Sequence, residues 1–227
     1  MDRLIDLSLH VGVDLLVNVD AAAPSGRIYK SAKLVGENGT LRSYQKSRLV
    51  PFGAYVPFRK VFGWTTHYTK VTKVADEDRQ RDTGPVVLRI SSPTTLVIGP
   101  LISYETTFSD RVHRKVKLGA ELLVYLSSTS TFHGTWVQPQ LAALPAVHVV
   151  EVGCPAVHVG LSGDSLAFDA GGRWLAWFPL GYQGVVVVTV SLASSAPLYQ
   201  RLGYQVLVLI FRDPGLCAIL LAPLLSR

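Results

Sequence analysis

Three apolar runs separated by two stretches of helical length limit what this chain can become. The runs are "TTLVIGPLIS" (94–103), "ELLVYLS" (121–127) and "PAVHVGL" (155–161). Each has the length and apolar character of a buried strand. Between the first two lies "FSDRVHRKVKLGA". It reads as a helix capped by Ser109, with Asp110 in its first turn and lysines in its last, the charge order a helix dipole favours. Between the second and third lies "TWVQPQLAALPAVHVVEVG", a helix interrupted by Pro139 and Pro145 and ending near Gly153. Strand, helix, strand, helix, strand is an order that sets helices outside a sheet.

The flanks run as hairpins. Residues 13–19 read as a strand, and "RIYKSAKLV" and "LRSYQKSRL" flank Asn38-Gly39, a strong hairpin-turn dipeptide. After the third core strand come "SLAFDA", "RWLAWFPL" and "GVVVVTVSL", the first two joined by a tight "AGGR" turn. The expected fold class is α/β, a sandwich of sheets with helices outside. Segment 51–85, with Pro51, Gly53, Pro57, Gly63 and "ADEDRQRDTG", reads as a long loop of the kind that carries function. The opening "MDRLIDLSLHVG" suits a short amphipathic helix. Asp2 and Asp6 interrupt it, so it is not a signal peptide.

Of the 227 residues 48% are hydrophobic, enough to bury a sizeable core, and only 17% are charged. The mean hydropathy of +0.30 is greasy for a soluble protein and mild for a multi-span membrane protein. The net charge of +6 comes from scattered residues, with local groups at 42–48 and 111–117. No basic run alternates with aromatics, which argues against nucleic acid as a partner; an anionic membrane surface fits at least as well. Cys154 and Cys217 form no disulfide framework, and the six histidines have no metal-binding spacing, so neither metal nor cofactor is expected. The last segment, "YQVLVLIFRDPGLCAILLAPLLSR" (204–227), holds two apolar runs around Arg212-Asp213-Pro214. A spanning helix needs about 20 mostly apolar residues. A central Arg or Asp costs roughly 2.5–3.5 kcal/mol, and Pro214 would kink the helix. A marginal span, an interfacial segment and a packed tail all remain open.

The chemistry-bearing stretch is "GPLISYETTFSDR" (99–111), where a core strand ends in Ser103-Tyr104-Glu105. A G-x-S-x-G elbow would mark Ser103 as a hydrolase nucleophile, but Leu101 and Glu105 stand at the glycine positions. Upstream, "YQKSRLVPFGAYVPF" (44–58) resembles the Y-x-K-x-x-L-V-P-F-G-E-Y-V-P motif of the nitrilase-like (carbon-nitrogen hydrolase) domain of bacterial apolipoprotein N-acyltransferases. The matching residues are Tyr44, Lys46, Leu49, Val50, Pro51, Phe52, Gly53, Tyr55, Val56 and Pro57. "LISYETTF" resembles that family's I-C-Y-E motif, and "TFHGTWVQPQLA", "VEVGCP" and "YQRLG" fall in its order. The resemblance covers about residues 4–225.

The resemblance implies a nitrilase-like α-β-β-α sandwich (1–203), amino-terminally truncated, followed by an apolar tail (204–227) as a possible remnant transmembrane helix. It implies a domain on the extracytoplasmic face of the bacterial cell membrane. It implies a Glu-Lys-Cys chemistry in which a thiolate takes an acyl chain from phospholipid and passes it to the amino terminus of a lipoprotein. Carried over, Lys46 takes the catalytic lysine position, Ser103 the nucleophile position and Glu105 the glutamate of I-C-Y-E, where a buried carboxylate bonded to loop amides is its expected part. Tyr104, Phe132 and Trp136 are the candidate substrate-binding residues.

Departures from the family pattern shape the expected function. Ser103 replaces the cysteine, and a hydroxyl needs a strong, well-placed base. The family's general-base glutamate lies in a W-P-E segment upstream of "VDLLVNV"; Glu37 and Glu77 are poor substitutes. Ala54 stands for the glutamate of P-F-G-E, and His148 and Cys154 stand where arginine is usual. Cys154 reads as a small buried residue. The expectation is an acyltransferase-type domain that is weakly active or inactive as this chain. The alternative is a non-catalytic nitrilase-like binding module, or a subunit of a split acyltransferase with an upstream membrane subunit as partner. A soluble amidase is the third reading, which the L-V-P-F-G-x-Y-V-P stretch and the greasy tail oppose.

Overall fold

A computed structural model of the chain describes residues 2–22, 28–51, 54, 56, 58–62, 86–90, 95–192 and 197. Phe52, Gly53, Tyr55 and Pro57 of the long motif, most of the 51–85 loop, Glu77, Cys217 and the 204–227 tail lie outside these residues.

The elements are α1 (Asp2–Val11), β1 (Leu15–Ala22), β2 (Ile28–Gly36), β3 (Gly39–Gln45), α2 (Arg59–Phe62), β4 (Leu88–Ile90), β5 (Leu96–Ile102), α3 (Ser109–Lys117), β6 (Leu122–Ser128), α4 (Val137–Ala143), α5 (Pro145–Val152), β7 (Ala156–Leu161), β8 (Ser165–Phe168) and β9 (Trp174–Phe178). Short 3₁₀ turns cover Ser103–Thr107 and Ser130–Phe132.

Two sheets result. β1, β2 and β3 form an antiparallel meander, with the expected turn at Asn38-Gly39. Gly39 has φ +103°, the left-handed region that this turn requires and that glycine alone enters freely. The second sheet runs β4-β5-β6-β7-β8-β9. Its centre, β5-β6-β7, is parallel, and β4, β8 and β9 are antiparallel additions. The parallel centre follows from the two helical crossovers read in the sequence.

Alternation of side chains along each strand makes two cores. Ala32, Leu34, Tyr44, Leu88, Ile98, Ile102, Val124 and Leu126 meet between the sheets. On the other face of the six-stranded sheet, Leu101, Leu123, Tyr125, Ala156, Leu166 and Phe168 pack against Val112 of α3, Ala142 of α4 and Val149 and Val152 of α5. Gly99 lets α3 come this close to β5: a Cβ there would lie 3.0 Å from the Lys115 Cβ. α1 lies against β2 and β3. The chain is therefore layered as helix, sheet, sheet and helices.

Several expectations need correction. Ser109 is the first residue of α3, not its cap; Phe108 occupies the cap position with no side-chain bond, and the Ser109 hydroxyl donates instead to Glu151. Only Pro145 breaks the α4–α5 stretch. Pro139 sits in the first turn of α4, where no intrahelical N–H is missed. The expected strand "GVVVVTVSL" does not form. Val185 and Val187 are 93% and 91% exposed, because no described strand runs beside this segment to take its backbone bonds.

The same shortage shows in the sheets. Among the described residues three strands face six, and they leave part of the inner face of the larger sheet open. Val159 and Leu161, which pair with Leu126 and Ser128 across β6–β7, remain exposed. A cavity of about 380 Å³ opens here, lined by Leu16, Asn18, Lys30, Ser127 and Leu161 among others.

Burial sets the expected mutational response. Leu123→Ala, at a fully buried site, should cost about 2–5 kcal/mol. Val187→Lys should change stability by no more than about 0.5 kcal/mol. Urea denaturation of the two variants checks the contrast.

Candidate active site

The three parallel strands end together, and the sequence-derived site residues collect at that end. β5 delivers Ser103, and β6 delivers Ser127–Thr129. In open α/β sheets this carboxyl edge is where ligands bind. Ser103 begins the 3₁₀ turn in a left-handed conformation, φ +52°. For a non-glycine residue this costs about 1–3 kcal/mol and persists only where the surroundings enforce it.

What enforces it is Glu105, two residues on. Its carboxylate is fully buried. Oε1 accepts from the Tyr44 hydroxyl at 2.7 Å, the Ser47 hydroxyl at 2.6 Å, the Ser47 N–H at 2.8 Å and the Arg48 N–H at 3.1 Å. Oε2 accepts from the Ile102 N–H at 2.9 Å. One side chain therefore ties the segment immediately after Lys46 to the residue immediately before Ser103. Such charge-assisted bonds compensate the loss of water around a buried ion. Thr106 closes the turn by donating its hydroxyl to the Ser103 carbonyl at 2.7 Å.

Tyr44 is held from a second side. The Lys115 Nζ stands 3.6 Å from the centroid of its ring and also donates to the Val86 carbonyl. Burial, with the Glu105 charge, pushes the Tyr44 phenol far above the usual tyrosine range, so it remains a donor. Lys46 itself is buried just beyond β3, with its N–H donating to the Lys30 carbonyl at 2.8 Å.

Tyr104 packs edge-to-face on Phe108, centroids 5.0 Å apart, and the Arg48 guanidinium covers Phe108 at 4.8 Å while pairing with Asp110 at 3.1 Å. Tyr104 is thus fixed beside the turn. Phe132 and Trp136 lie on the loop after β6, at the same end of the sheet, and are 42% and 82% exposed. They are set toward solvent rather than packed into the core. Gln138 steadies this loop, accepting from the Gly134 N–H at 2.9 Å and donating to Thr129 and to the Ser162 carbonyl.

Cys154 is buried, and burial pushes its thiol up to about 12. It is therefore a packed thiol without thiolate character at neutral pH. Glu37 lies exposed in the β2–β3 turn. Ala54, in the position of the P-F-G-E glutamate, is buried and donates its N–H to Val50. Among the described residues no group of three or more His, Cys, Asp or Glu could hold a metal ion.

Sequence reasoning gave no role to Tyr44, Ser47 or Arg48. The motif contained Tyr44, but the contribution of two main-chain amides at 47 and 48 carries no side-chain signature. It also passed over Asn18, whose buried Oδ1 has no hydrogen-bond partner among the described residues and which borders the cavity.

The fold matches solved amidase structures. A crystal structure of an amidase from Nesterenkonia sp. aligns with TM-score 0.57 and 17% identity, over 79% of this chain and 62% of that one. A cysteine-to-serine variant of a Nesterenkonia amidase of the nitrilase superfamily gives TM-score 0.58 and 18% identity, over 79% and 62%. The architecture is thus an α/β fold of the nitrilase-superfamily type. The carbon-nitrogen hydrolase family model matches residues 9–200, and the chain belongs to that family. Its curated relatives include apolipoprotein N-acyltransferases from Gloeobacter violaceus, 29% identical over 75% of this chain and 31% of the relative. Those from Chlamydia trachomatis and Chlamydia pneumoniae are each 30% identical, over 81% and 85% of this chain and 34% and 36% of the relatives. The chain spans about a third of the length of the curated relatives it matches.

Two groups lend themselves to direct tests. Glu105→Gln replaces an acceptor-only carboxylate that serves four donor residues, so buried N–H or O–H groups lose their partner. A loss of about 3 kcal/mol or more is expected in urea unfolding.

His158 is buried between the Asp164 carbonyl, 3.2 Å from Nδ1, and the Ser127 hydroxyl, 3.1 Å from Nε2. Burial lowers it to about 4. The unfolded chain, with histidine near 6.5, then binds the extra proton first. Stability present above about pH 6.5 is therefore lost as pH falls toward 4, by up to about 3 kcal/mol. His158→Gln should flatten that part of the stability-versus-pH curve.

Proposed function

We propose that this chain is the nitrilase-type domain of an apolipoprotein N-acyltransferase lineage, acting where phospholipid acyl chains are passed to lipoprotein amino termini, and catalytically silent as this chain. In this reading residues 1–203 are the domain, on the extracytoplasmic face of a bacterial membrane, and 204–227 are an apolar tail that is the remnant of a transmembrane helix. Among the described residues no helix is long and apolar enough to cross a membrane.

The observation that carries this reading is the Glu105 tie, which links the segment following Lys46 to the strand end bearing Ser103. In this reading Lys46 supplies the cation for a developing oxyanion. Ser103 stands where an acyl group would be received, and Tyr104, Phe132 and Trp136 border the acceptor side. Acylation would join the Ser103 Oγ to the acyl carbon of a phospholipid ester and release the lysophospholipid alcohol. Attack by an amine would then form the amide and return the hydroxyl. The first step needs a base for the hydroxyl proton. Glu105 serves as an anchor: its described partners are Tyr44, Ser47, Arg48 and Ile102. Without a general base such a step is slower by about 10²–10⁴-fold, and serine starts as a weaker acid than cysteine.

A second reading, a binding module or a subunit of a split acyltransferase, is favoured by the partly open sheet. The outer edge of β1 has no partner strand among the described residues, and Val159, Leu161 and the cavity beneath it lie open. An extended segment of another polypeptide would complete that edge.

One experiment weighs both. The chain, and Ser103→Cys, are incubated with phospholipid vesicles and a diacylated lipopeptide, with and without the amino-terminal portion of a relative supplied in trans. Mass spectrometry reads residue 103. The unmodified chain should carry no acyl ester, and an ester on Ser103 overturns its silence. A thioester on Ser103→Cys only in the presence of the added portion supports the split enzyme. A silent variant under both conditions supports the binding module.

A further inference from the structure

α5 reaches the turn bearing Ser103 through one side chain. His148 is buried. Its Nε2 lies 2.8 Å from the Thr106 carbonyl oxygen, and its Nδ1 lies 3.0 Å from Glu151 Oε2. Neither oxygen has a proton to give: a carbonyl only accepts, and so does an ionised carboxylate. A neutral imidazole carries one N–H and can satisfy one of these contacts. The other would then bring two lone pairs together. The imidazolium satisfies both.

Glu151 is suited to remain ionised. Burial works against its charge, but the Ser109 hydroxyl at 2.6 Å and the bond and charge of His148, aided by His113, outweigh it and hold the carboxyl below its usual range. The turn that His148 contacts carries Tyr104 and Glu105, and α3 carries Asp110, Arg111, Arg114 and Lys115. α3 also contributes Ser109, His113 and Lys117; burial holds His113 below its usual range. β6 contributes Tyr125, whose phenol burial keeps neutral. α4 and β8 contain no titratable residue. On β7, His158 faces Ser127 and Asp164 instead.

The contact leads directly to residue 103. The Thr106 carbonyl receives His148, and the Thr106 hydroxyl donates to the Ser103 carbonyl at 2.7 Å. We infer that His148 is a positioning residue: doubly protonated, it fastens α5 to the Ser103–Thr107 turn, and it releases the turn when it loses a proton. The site's geometry at residue 103 is then linked to pH through a group that touches no substrate. This holds whether or not Ser103 turns over, so it stands apart from the proposed acyl-transfer role.

The test is NMR on the full chain between about pH 5 and 8, the range in which a histidine titrates. Ring ¹⁵N shifts follow the two His148 nitrogens, and amide hydrogen exchange, expressed as protection relative to the intrinsic rate at each pH, follows residues 104–108. Both nitrogens should be protonated at the acid end. Protection of the turn should fall about fivefold, the effect of one hydrogen bond on a local opening, in step with loss of the ring proton. His148→Arg keeps a permanent cation with several donors and should make that protection independent of pH. His148→Gln, which cannot donate to both acceptors, should show low protection throughout. A neutral ring at the acid end overturns the inference, as does protection that stays flat through the His148 titration. The same fall in His148→Arg would also overturn it, and should that variant fail to fold, the two wild-type readouts decide.

Discussion

The site depends on one buried carboxylate. Glu105 lies on the turn after β5, but most of its partners lie on the segment after β3, in the other sheet. Its fifth bond, from Ile102 N–H, returns to its own strand end. An ion removed from water is unfavourable unless donors surround it. Here that requirement itself specifies geometry: the only way to satisfy Glu105 is to bring residues 47–48 against residue 102. The sheets are tied together at the carboxyl end of β5 by electrostatics, while the apolar residues between them supply most of the cohesion without fixing direction. The left-handed Ser103 becomes tolerable because the turn is anchored on both sides of it, Ile102 through its N–H to the Glu105 carboxylate and Thr106 through its hydroxyl to the Ser103 carbonyl.

The larger sheet imposes a second constraint. Six strands need cover on two faces, and the helices α3–α5 cover one. Three strands cannot cover the other. Among the described residues a cavity opens beside β1, apolar residues of β7 lie exposed, and the Asn18 oxygen is without a partner. A strand forms only where another strand accepts its backbone groups, so high β-propensity at 185–190 is not enough.

This explains what the sequence disclosed and what it concealed. The parallel centre was legible because β5 and β6 are buried on both faces, and β5, β6 and β7 all read as continuous apolar runs. The β2–β3 hairpin was legible from Asn38-Gly39. The "GVVVVTVSL" segment misled because local preference cannot report whether a neighbour exists. Ser109 misled for a related reason: a serine before a helix suits a cap, but Glu151, 42 residues away in sequence, offered its hydroxyl a charged acceptor. The part taken by Glu105 as an anchor was readable from its place in the short "SYE" stretch that resembles I-C-Y-E and from the need of a buried carboxylate for donors. That of the Ser47 and Arg48 amides was not readable, since main-chain donors leave no trace in residue identity.

The arrangement separates the frame of the site from its reactive atoms. Tyr44, Ser47, Glu105 and Thr106 are all buried and bonded to one another or to main chain. None of these bonds uses the side chain of residue 103. A change from thiol to hydroxyl there alters nucleophilicity by a large factor while leaving every one of these interactions in place. A frame of this kind can therefore persist whichever side chain stands at 103, because none of the bonds that hold it involves that side chain. The same separation lets His148 bond to the frame through the Thr106 carbonyl without touching the side chain of residue 103.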